Sequence, residues 1–136
     1  MRGFFIATLL LFFMHRFLLS FAALNGFLAV ALGAFAAHGL KQSLTADFLA
    51  VFHTAANYQM YHALALLLVS VFIGQQPHAK PLLLSGLAFT AGIILFSGSL
   101  YALALGAPRG IGIITPFGGL SFLVGWGALA LHAVRR

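Results

Sequence analysis

The sequence predicts an all-α fold: an integral membrane bundle of four transmembrane helices, in a single domain over residues 1–136. Composition is the first observation behind this prediction, because 62% of the residues are hydrophobic and only 6% are charged. In soluble domains about a quarter of the residues are charged. A water-soluble fold of this size could not cover so much apolar surface, whereas lipid removes the need to cover it.

The basic residues are the second observation, since they are scattered along the chain like loop markers between membrane spans. The net charge is +6, and the seven basic residues are Arg2, Arg16, Lys41, Lys80, Arg109, Arg135 and Arg136. They form no basic face, so nucleic acid is not an expected partner. The absence of cysteine excludes disulfides, a thiolate nucleophile and sulfur-ligated metals.

The apolar segments between these markers are the third observation. They predict spans at about 17–37, 58–74, 82–105 and 111–134. Each is near the roughly 20 residues that cross a hydrocarbon core of about 30 Å.

Four spans leave both termini on one side of the membrane. Four basic residues, Arg16, Lys80, Arg135 and Arg136, fall on that side, and Lys41 and Arg109 fall on the other. The positive-inside rule therefore predicts a multi-pass protein of the cell (inner) membrane with cytoplasmic termini.

Residues 1–16 form an apolar N-terminal extension that is too short to cross the membrane before Arg16. Three interpretations remain open. The extension is a signal peptide cleaved near Ser20-Phe21-Ala22, a continuation of the first helix or an interfacial helix, or a segment that the fold does not need, with Met14 as an ordinary start.

The segment before the second span has its own helix signal, because Thr45 can cap a helix whose first turn contains Asp47. An unbroken helix over 46–74 would be about 43 Å long at 1.5 Å per residue, which exceeds the membrane. We therefore expect its first half to lie in the interface or bend, as an amphipathic arm packed against the bundle.

The fourth span has a different problem, since Leu120 to Val134 alone is too short to cross. The preceding "IGIITPFGG" must enter the membrane, and Pro116, Gly118 and Gly119 weaken regular helix there. This predicts a broken segment at Thr115–Gly119 that faces the bundle interior.

Small residues recur every four positions in three of the spans. We expect them to form helix-packing faces, within the chain or between copies: Ala29, Gly33 and Ala37; Ala88 and Gly92; Ser121 and Gly125.

The polar residues of "FHTAANYQMYH" share one half of a helix, because His53, Asn57 and Tyr61 advance by four and Tyr58 and His62 do likewise. Three roles remain open for them: anchoring at the membrane boundary, a hydrogen-bond network between helices, or a ligand or proton site. Other candidates for such a network or ligand-lining set are His38, Ser97, Ser99, Tyr101 and Thr115.

Enzymatic chemistry is not expected. A single acidic residue excludes a carboxylate dyad, and the chain has no P-loop, nucleophile elbow or HExxH motif. His38, His53 and His62 lack familiar metal spacings, so we predict neither a metal site nor a cofactor.

Five ordered motifs resemble one known family: "GAFAAHGLK" (33–41), "TAANYQMYHALALL" (54–67), "LFSGSLYALAL" (95–105), "ITPFGG" (114–119) and "GW" (125–126). This is the domain-of-unknown-function 423 family, also called uncharacterised protein family 0382, which is related to eukaryotic transmembrane protein 256. The resemblance implies a four-span membrane protein with no known activity and no catalytic residues. Ala36 stands where the family pattern has glycine, and residues 1–14 have no counterpart.

The family signature, as the resemblance implies it, covers positions Gly33, His38, Tyr58, Gln59, His62, Ser97, Gly98, Ser99, Tyr101, Thr115, Pro116, Gly118 and Gly119. The expected function is a non-enzymatic structural or assembly component that forms a homo-oligomer and contacts membrane lipids. The alternative is a small-solute or proton transporter or channel lined by His38, Tyr58, His62 and the segment Thr115–Gly119. No particular protein partner is predicted.

Overall fold

A computed structural model describes residues 1–135, apart from the side chain of Arg2. Its helices are α1 (Arg2–Phe35), α2 (Ala46–Gln75), α3 (Lys80–Gly92), α4 (Gly98–Ala104) and α5 (Ile114–Val134). A π-helical segment, Ala36–Leu40, continues α1; a second, Ile93–Ser97, joins α3 to α4; and the 3-10 helix Arg109–Ile113 leads into α5. Of the described residues, 89% are helical and none lies in a strand, so the predicted all-α class is confirmed.

These elements make four rods that are long and apolar enough to cross a membrane: Gly3–Leu40, Ala46–Gln75, Lys80–Ala104 and Arg109–Val134. The predicted bundle of four transmembrane helices is thereby confirmed. The first rod packs mainly on the second, the second also on the third, and the third on the fourth. The first and fourth rods therefore lie at the outside, with 22% of their most apolar stretch buried against 50% in the two central rods.

Residues 2–16 are the first turns of α1, which continues without a break to Phe35. The predicted extension is thus not separated from the first span at residue 17. Met14 packs against the core, and the His15 ring lies beside Gly74 of α2. With Ala36–Leu40 the rod has 38 residues. It is about 57 Å long at 1.5 Å per residue, well beyond the hydrocarbon thickness.

The second rod begins at the predicted cap, because the Thr45 hydroxyl accepts a hydrogen bond from the Phe48 N–H at 3.4 Å. The arm expected before the second span is not a separate segment, since α2 is continuous over its 30 residues. Its expected packing against the bundle is present: the Phe52 side chain is 1% exposed and its ring centroid lies 4.7 Å from that of Tyr101. Burial of this ring holds the first half of α2 against the bundle.

The broken segment expected at Thr115–Gly119 is also wrong, because these residues are the first turns of α5. Pro116 is the third residue of that helix. In the first turn the missing proline N–H has no intrahelical acceptor to lose, so the helix tolerates it. The chain bends earlier, at Gly106, whose φ is +98°, a backbone conformation that favours glycine.

The predicted small-residue faces of the third and fourth spans meet each other within the chain. A Cβ added at Gly125 would lie 2.6 Å from the Phe89 ring, and one at Gly92 would overlap the Phe122 ring. Two hydrogen bonds tie the same faces: the Ser85 hydroxyl donates to the Gly125 carbonyl at 2.8 Å, and the Ser121 hydroxyl donates to the Ala88 carbonyl at 2.7 Å. Small residues thus let α3 and α5 approach closely enough for side chains to reach the opposite backbone.

The face predicted on the first span is only partly used. Ala29 is buried, but Ala37 is exposed and nothing lies within 4 Å of a Cβ added at Gly33. The side chains of α1 that face α2 and α3 are instead separated by alternating steps of four and three residues. They are Leu18, Ala22, Asn25 and Ala29, and all four are buried. Repeated steps of four rotate by about 40° each around a helix, whereas alternating steps of four and three stay on one face.

The closest backbone approach supports a stability prediction. A Cβ added at Gly118 would overlap the backbone of Phe96, while nothing lies within 4 Å of one added at Gly127 on the same helix. We expect Gly118→Ala to lower the free energy of unfolding in detergent micelles by about 1–3 kcal/mol through overpacking. The matched control Gly127→Ala should lose nothing and can gain up to about 1 kcal/mol from helix propensity. Equal stability of the two variants would contradict this account.

Candidate functional site

Three polar side chains form a hydrogen-bonded chain across the bundle. The Asn25 amide donates to the Phe21 carbonyl at 2.9 Å, the Gln59 amide donates to Asn25 Oδ1 at 2.8 Å, and the Tyr101 hydroxyl donates to Gln59 Oε1 at 2.7 Å. Asn25 and Gln59 are buried and Tyr101 is partly buried. The chain therefore joins α1, α2 and α4 through groups that lipid could not hydrogen-bond.

His62 lies near the middle of α2 and joins it to α5. Its Nδ1 is 2.8 Å from the Tyr58 carbonyl, and the Trp126 indole N–H donates to its Nε2 at 3.1 Å. These partners assign a neutral ring with the proton on Nδ1, because Nε2 must accept. The ring stacks on Phe122 with centroids 3.5 Å apart. Both nitrogens are thus occupied within the protein, which leaves no lone pair for a metal.

The hydroxyls at the junction of the third rod complete the network. Ser97 donates to the Ala55 carbonyl of α2 at 2.8 Å. Ser99 donates to the Phe96 carbonyl at 2.9 Å, and its Oγ lies 2.6 Å from Thr115 Oγ1. Since the single Ser99 proton is used on that carbonyl, Thr115 is the donor to Ser99. These bonds connect the third rod to both α2 and α5.

The structure divides the candidate residues into two groups. His62, Ser97, Ser99, Tyr101 and Thr115 belong to the bonded interior described above. His38, Asn57, Tyr58 and Tyr61 are exposed, and His53 is partly buried.

His38 does not join His62. Because Asn25 lies opposite Gln59 on antiparallel helices, His38 is about 16 residues, or roughly 24 Å, from His62 along the axis. Tyr58 does lie beside His62, with ring centroids 5.9 Å apart, and it also packs on Phe96. The proposed lining group of His38, Tyr58 and His62 is therefore not assembled around one point.

The spacing of polar residues in the sequence did not indicate two central members of the network. Asn25 was not among the candidates, and Gln59 entered only through the family resemblance. The signal for Asn25 was available, because a lone amide within an apolar span marks a buried polar contact. Gln59 was hidden by its neighbours, since it lies about 160° around α2 from Tyr61, on the face opposite the polar stripe.

The chemical capacity of this interior is small. In the described part of the chain, every buried side-chain nitrogen and oxygen has a hydrogen-bond partner, and no three His, Cys, Asp or Glu residues converge as metal ligands. A surface groove of about 490 Å³ between α1 and α2 is lined by apolar side chains such as Phe27, Met60 and Leu67. No member of the network lines this groove or three further surface grooves. The arrangement fastens helices together through groups that are already paired.

Comparisons with known proteins agree with this architecture. The family model described as "Protein of unknown function (DUF423)" matches residues 32–119. The UPF0382 membrane protein YwdK of Bacillus subtilis (strain 168) is 42% identical over 113 residues, which cover 83% of this chain and 92% of the relative. The UPF0382 inner membrane protein YgdD of Escherichia coli (strain K12) is 42% identical over 120 residues, 88% of this chain and 91% of the relative. A UPF0382 membrane protein of Haemophilus influenzae is 48% identical over 112 residues, 82% of this chain and 89% of the relative. No solved structure matches the chain significantly.

The hydrogen-bonded chain yields a test of its contribution to stability. We expect Tyr101→Phe to lower the free energy of unfolding by about 1 kcal/mol, and Gln59→Leu by about 2 kcal/mol or more, because it leaves Asn25 Oδ1 without a donor and the Tyr101 hydroxyl without an acceptor. Tyr58→Phe is the matched control, since the Tyr58 hydroxyl makes no hydrogen bond to the described residues. Thermal unfolding in one detergent compares the three variants. Equal losses from both Tyr→Phe changes would show that the chain contributes nothing.

Proposed function

Because the chain belongs to the DUF423 (UPF0382) family of membrane proteins, we propose that it is a non-enzymatic structural or assembly component of the cell membrane that works as a homo-oligomer. The single observation that carries this proposal is the closed hydrogen-bond network of the interior. A catalytic or transport site needs groups that can exchange protein partners for a substrate. Here the buried polar side chains of the described residues are already paired with one another or with backbone.

The exterior supports the assembly part of the proposal. The first and fourth rods contribute little of their surface to the core, so the bundle presents wide helical faces to its surroundings. In lipid, such faces associate through close packing and interhelical hydrogen bonds rather than through a hydrophobic driving force. A small bundle with a rigid interior and uncommitted outer faces is suited to assembly with copies of itself.

Transport of a small solute or proton is the second candidate, and one observation favours it. Two π-helical segments interrupt the rods, and Ile93–Ser97 lies where three rods exchange hydrogen bonds. Such segments are frequent at functional sites because they can shift the register of a helix. A path along this segment would require Ser97 to release the Ala55 carbonyl and admit water.

The proposed topology places both termini and the 76–79 loop in the cytoplasm. Arg16, Lys80 and Arg135 support it through the positive-inside rule, against Lys41 and Arg109 at the opposite end. Arg136, which the sequence assigns to the same side, lies outside the described residues.

The proposed function is tested by purifying the protein in mild detergent and in native-lipid particles and measuring its mass. We expect a defined oligomer, with no solute or proton flux when it is reconstituted into liposomes. Bound metal and visible absorbance are measured on the same sample. A monomer in native lipid, or flux that Ser97→Ala changes while the fold is retained, would overturn the structural proposal and favour transport.

The topology is tested separately with single cysteines, since the chain has none of its own. An impermeant thiol reagent added to intact cells should label Ser43→Cys in the 41–45 loop. It should label His78→Cys only after the membrane is permeabilised. The reverse pattern would place the termini outside and contradict the proposal.

A further inference from the structure

The outward face of α2 carries a seam that no other part of the described chain covers. Its exposed side chains alternate in steps of four and three: Ala50, Thr54, Asn57, Tyr61, Leu64, Leu68 and Val71. This is the spacing with which two helices pack along a left-handed coiled coil. The opposite face of α2 is already buried against the other rods, so this seam is free to receive another helix.

Asn57 and Tyr61 of the seam are polar at a depth where the neighbouring helices are apolar. Phe122 of α5 lies level with this part of α2, because its ring is 6.4 Å from that of Tyr58 and 3.5 Å from that of His62. On either side of Phe122, α5 exposes Leu120 and Leu123, the latter 69% exposed. These leucines mark the level of Tyr61 as part of the hydrocarbon.

The exposed residues of the first rod show that Asn57 also lies at the level of the hydrocarbon. Asn25 is bonded to Gln59, and two residues further on α1 exposes Phe27, which is 70% exposed. Phe35, also exposed, lies about 15 Å beyond Asn25 in the direction of the start of α2. The apolar layer therefore continues past Asn57, whose position is not at the membrane boundary.

An unpaired amide at this depth needs a partner. The Asn57 side chain makes no hydrogen bond to the described residues, and acyl chains offer none. The Thr54 hydroxyl, one step away on the seam, already donates to the Ala50 carbonyl at 3.0 Å. The missing partner must therefore come from another molecule that presents both a donor and an acceptor within the hydrocarbon.

We propose that this partner is a second copy of the chain, packed α2 against α2 as a parallel two-fold pair with the two Asn57 amides hydrogen-bonded to each other. This inference rests on the proposed homo-oligomer and names its interface. Copies inserted with the same topology are parallel, and a two-fold axis along the membrane normal places equivalent seam residues in the same layer. An amide carries a donor and an acceptor, so two asparagines satisfy each other across such an axis.

The rest of the seam fits the same partner. Ala50 and Thr54 are small and allow close approach at one end, while Leu64 and Leu68 supply interlocking side chains at the other. A single asparagine within an otherwise packed seam fixes the register of the two helices. A lipid could not hydrogen-bond the Asn57 amide, because its polar atoms lie at the headgroup level. Its acyl chains also lack side chains that would match the spacing of the seam.

Disulfide crosslinking in native membranes tests the interface, and the absence of native cysteine keeps the background clean. Thr54→Cys, Leu64→Cys and Leu68→Cys on the seam are compared with Leu123→Cys and Val124→Cys on α5, which are also exposed. We expect oxidation to give dimers at least about fivefold more abundant at the seam positions than at either control, as the layered contacts of a parallel pair require. Equal or lower yields at the seam would overturn the inference.

The role of the amide is tested with Asn57→Leu and Asn57→Gln. Loss of two interhelical hydrogen bonds should weaken dimerisation of Asn57→Leu about five- to tenfold, while Asn57→Gln retains part of it. Dimers that are unaffected by Asn57→Leu would overturn the assignment of this side chain.

The mass in native lipid separates this inference from the proposed function. An oligomer that crosslinks at Leu123→Cys or Val124→Cys, and not at the seam, rejects the α2 interface and leaves the homo-oligomer standing. Crosslinks of the seam to a different protein, with no homodimer, would reject both.

Discussion

The structure depends on the inability of lipid to hydrogen-bond with protein. Any donor or acceptor on a membrane-spanning helix must find its partner on the protein itself, because an unsatisfied group in hydrocarbon costs several kilocalories per mole. That constraint explains why Asn25, Gln59 and Tyr101 meet, and why Trp126 points its indole N–H at His62. Each such bond joins different helices, so satisfying the polar groups also defines which faces of the rods are in contact.

The two halves of the bundle use this constraint differently. The α3–α5 pair relies on glycine and serine, whose small size brings the backbones together so that hydroxyls reach carbonyls on the opposite helix. The α1–α2 pair relies on a buried face of α1 with alternating spacing, in which Asn25 lies among Leu18, Ala22 and Ala29. The α3–α5 contact requires glycine at the positions where the helices are closest. The α1–α2 contact requires only regularly spaced apolar residues and one hydrogen bond between side chains. Both leave the interior filled and its polar atoms paired.

A paired interior bears directly on function. Groups that bind substrates or carry protons have to change partners during a cycle, and the buried side-chain nitrogens and oxygens of the described residues are already paired. The uncommitted chemistry of the molecule lies on its outside, where Asn57 and Tyr61 face away from the bundle. An outward polar group in an apolar layer can hydrogen-bond another helix, and this is why we propose assembly as the function.

Composition and hydropathy were sufficient for the membrane, the all-helical class and the four crossings, because the transfer of apolar side chains into lipid depends on residue type and segment length alone. The Thr45 cap was equally local and was found in the structure as predicted. The sequence did not reveal that Pro116 would open a helix rather than break one, since that depends on where the 3-10 segment ends. It also could not separate Gln59, which is bonded within the bundle, from Asn57, which is exposed two residues earlier. Only the tertiary structure decided which face of each helix turns inward, because that choice is made by neighbouring helices competing for the same contacts and not by any residue on its own.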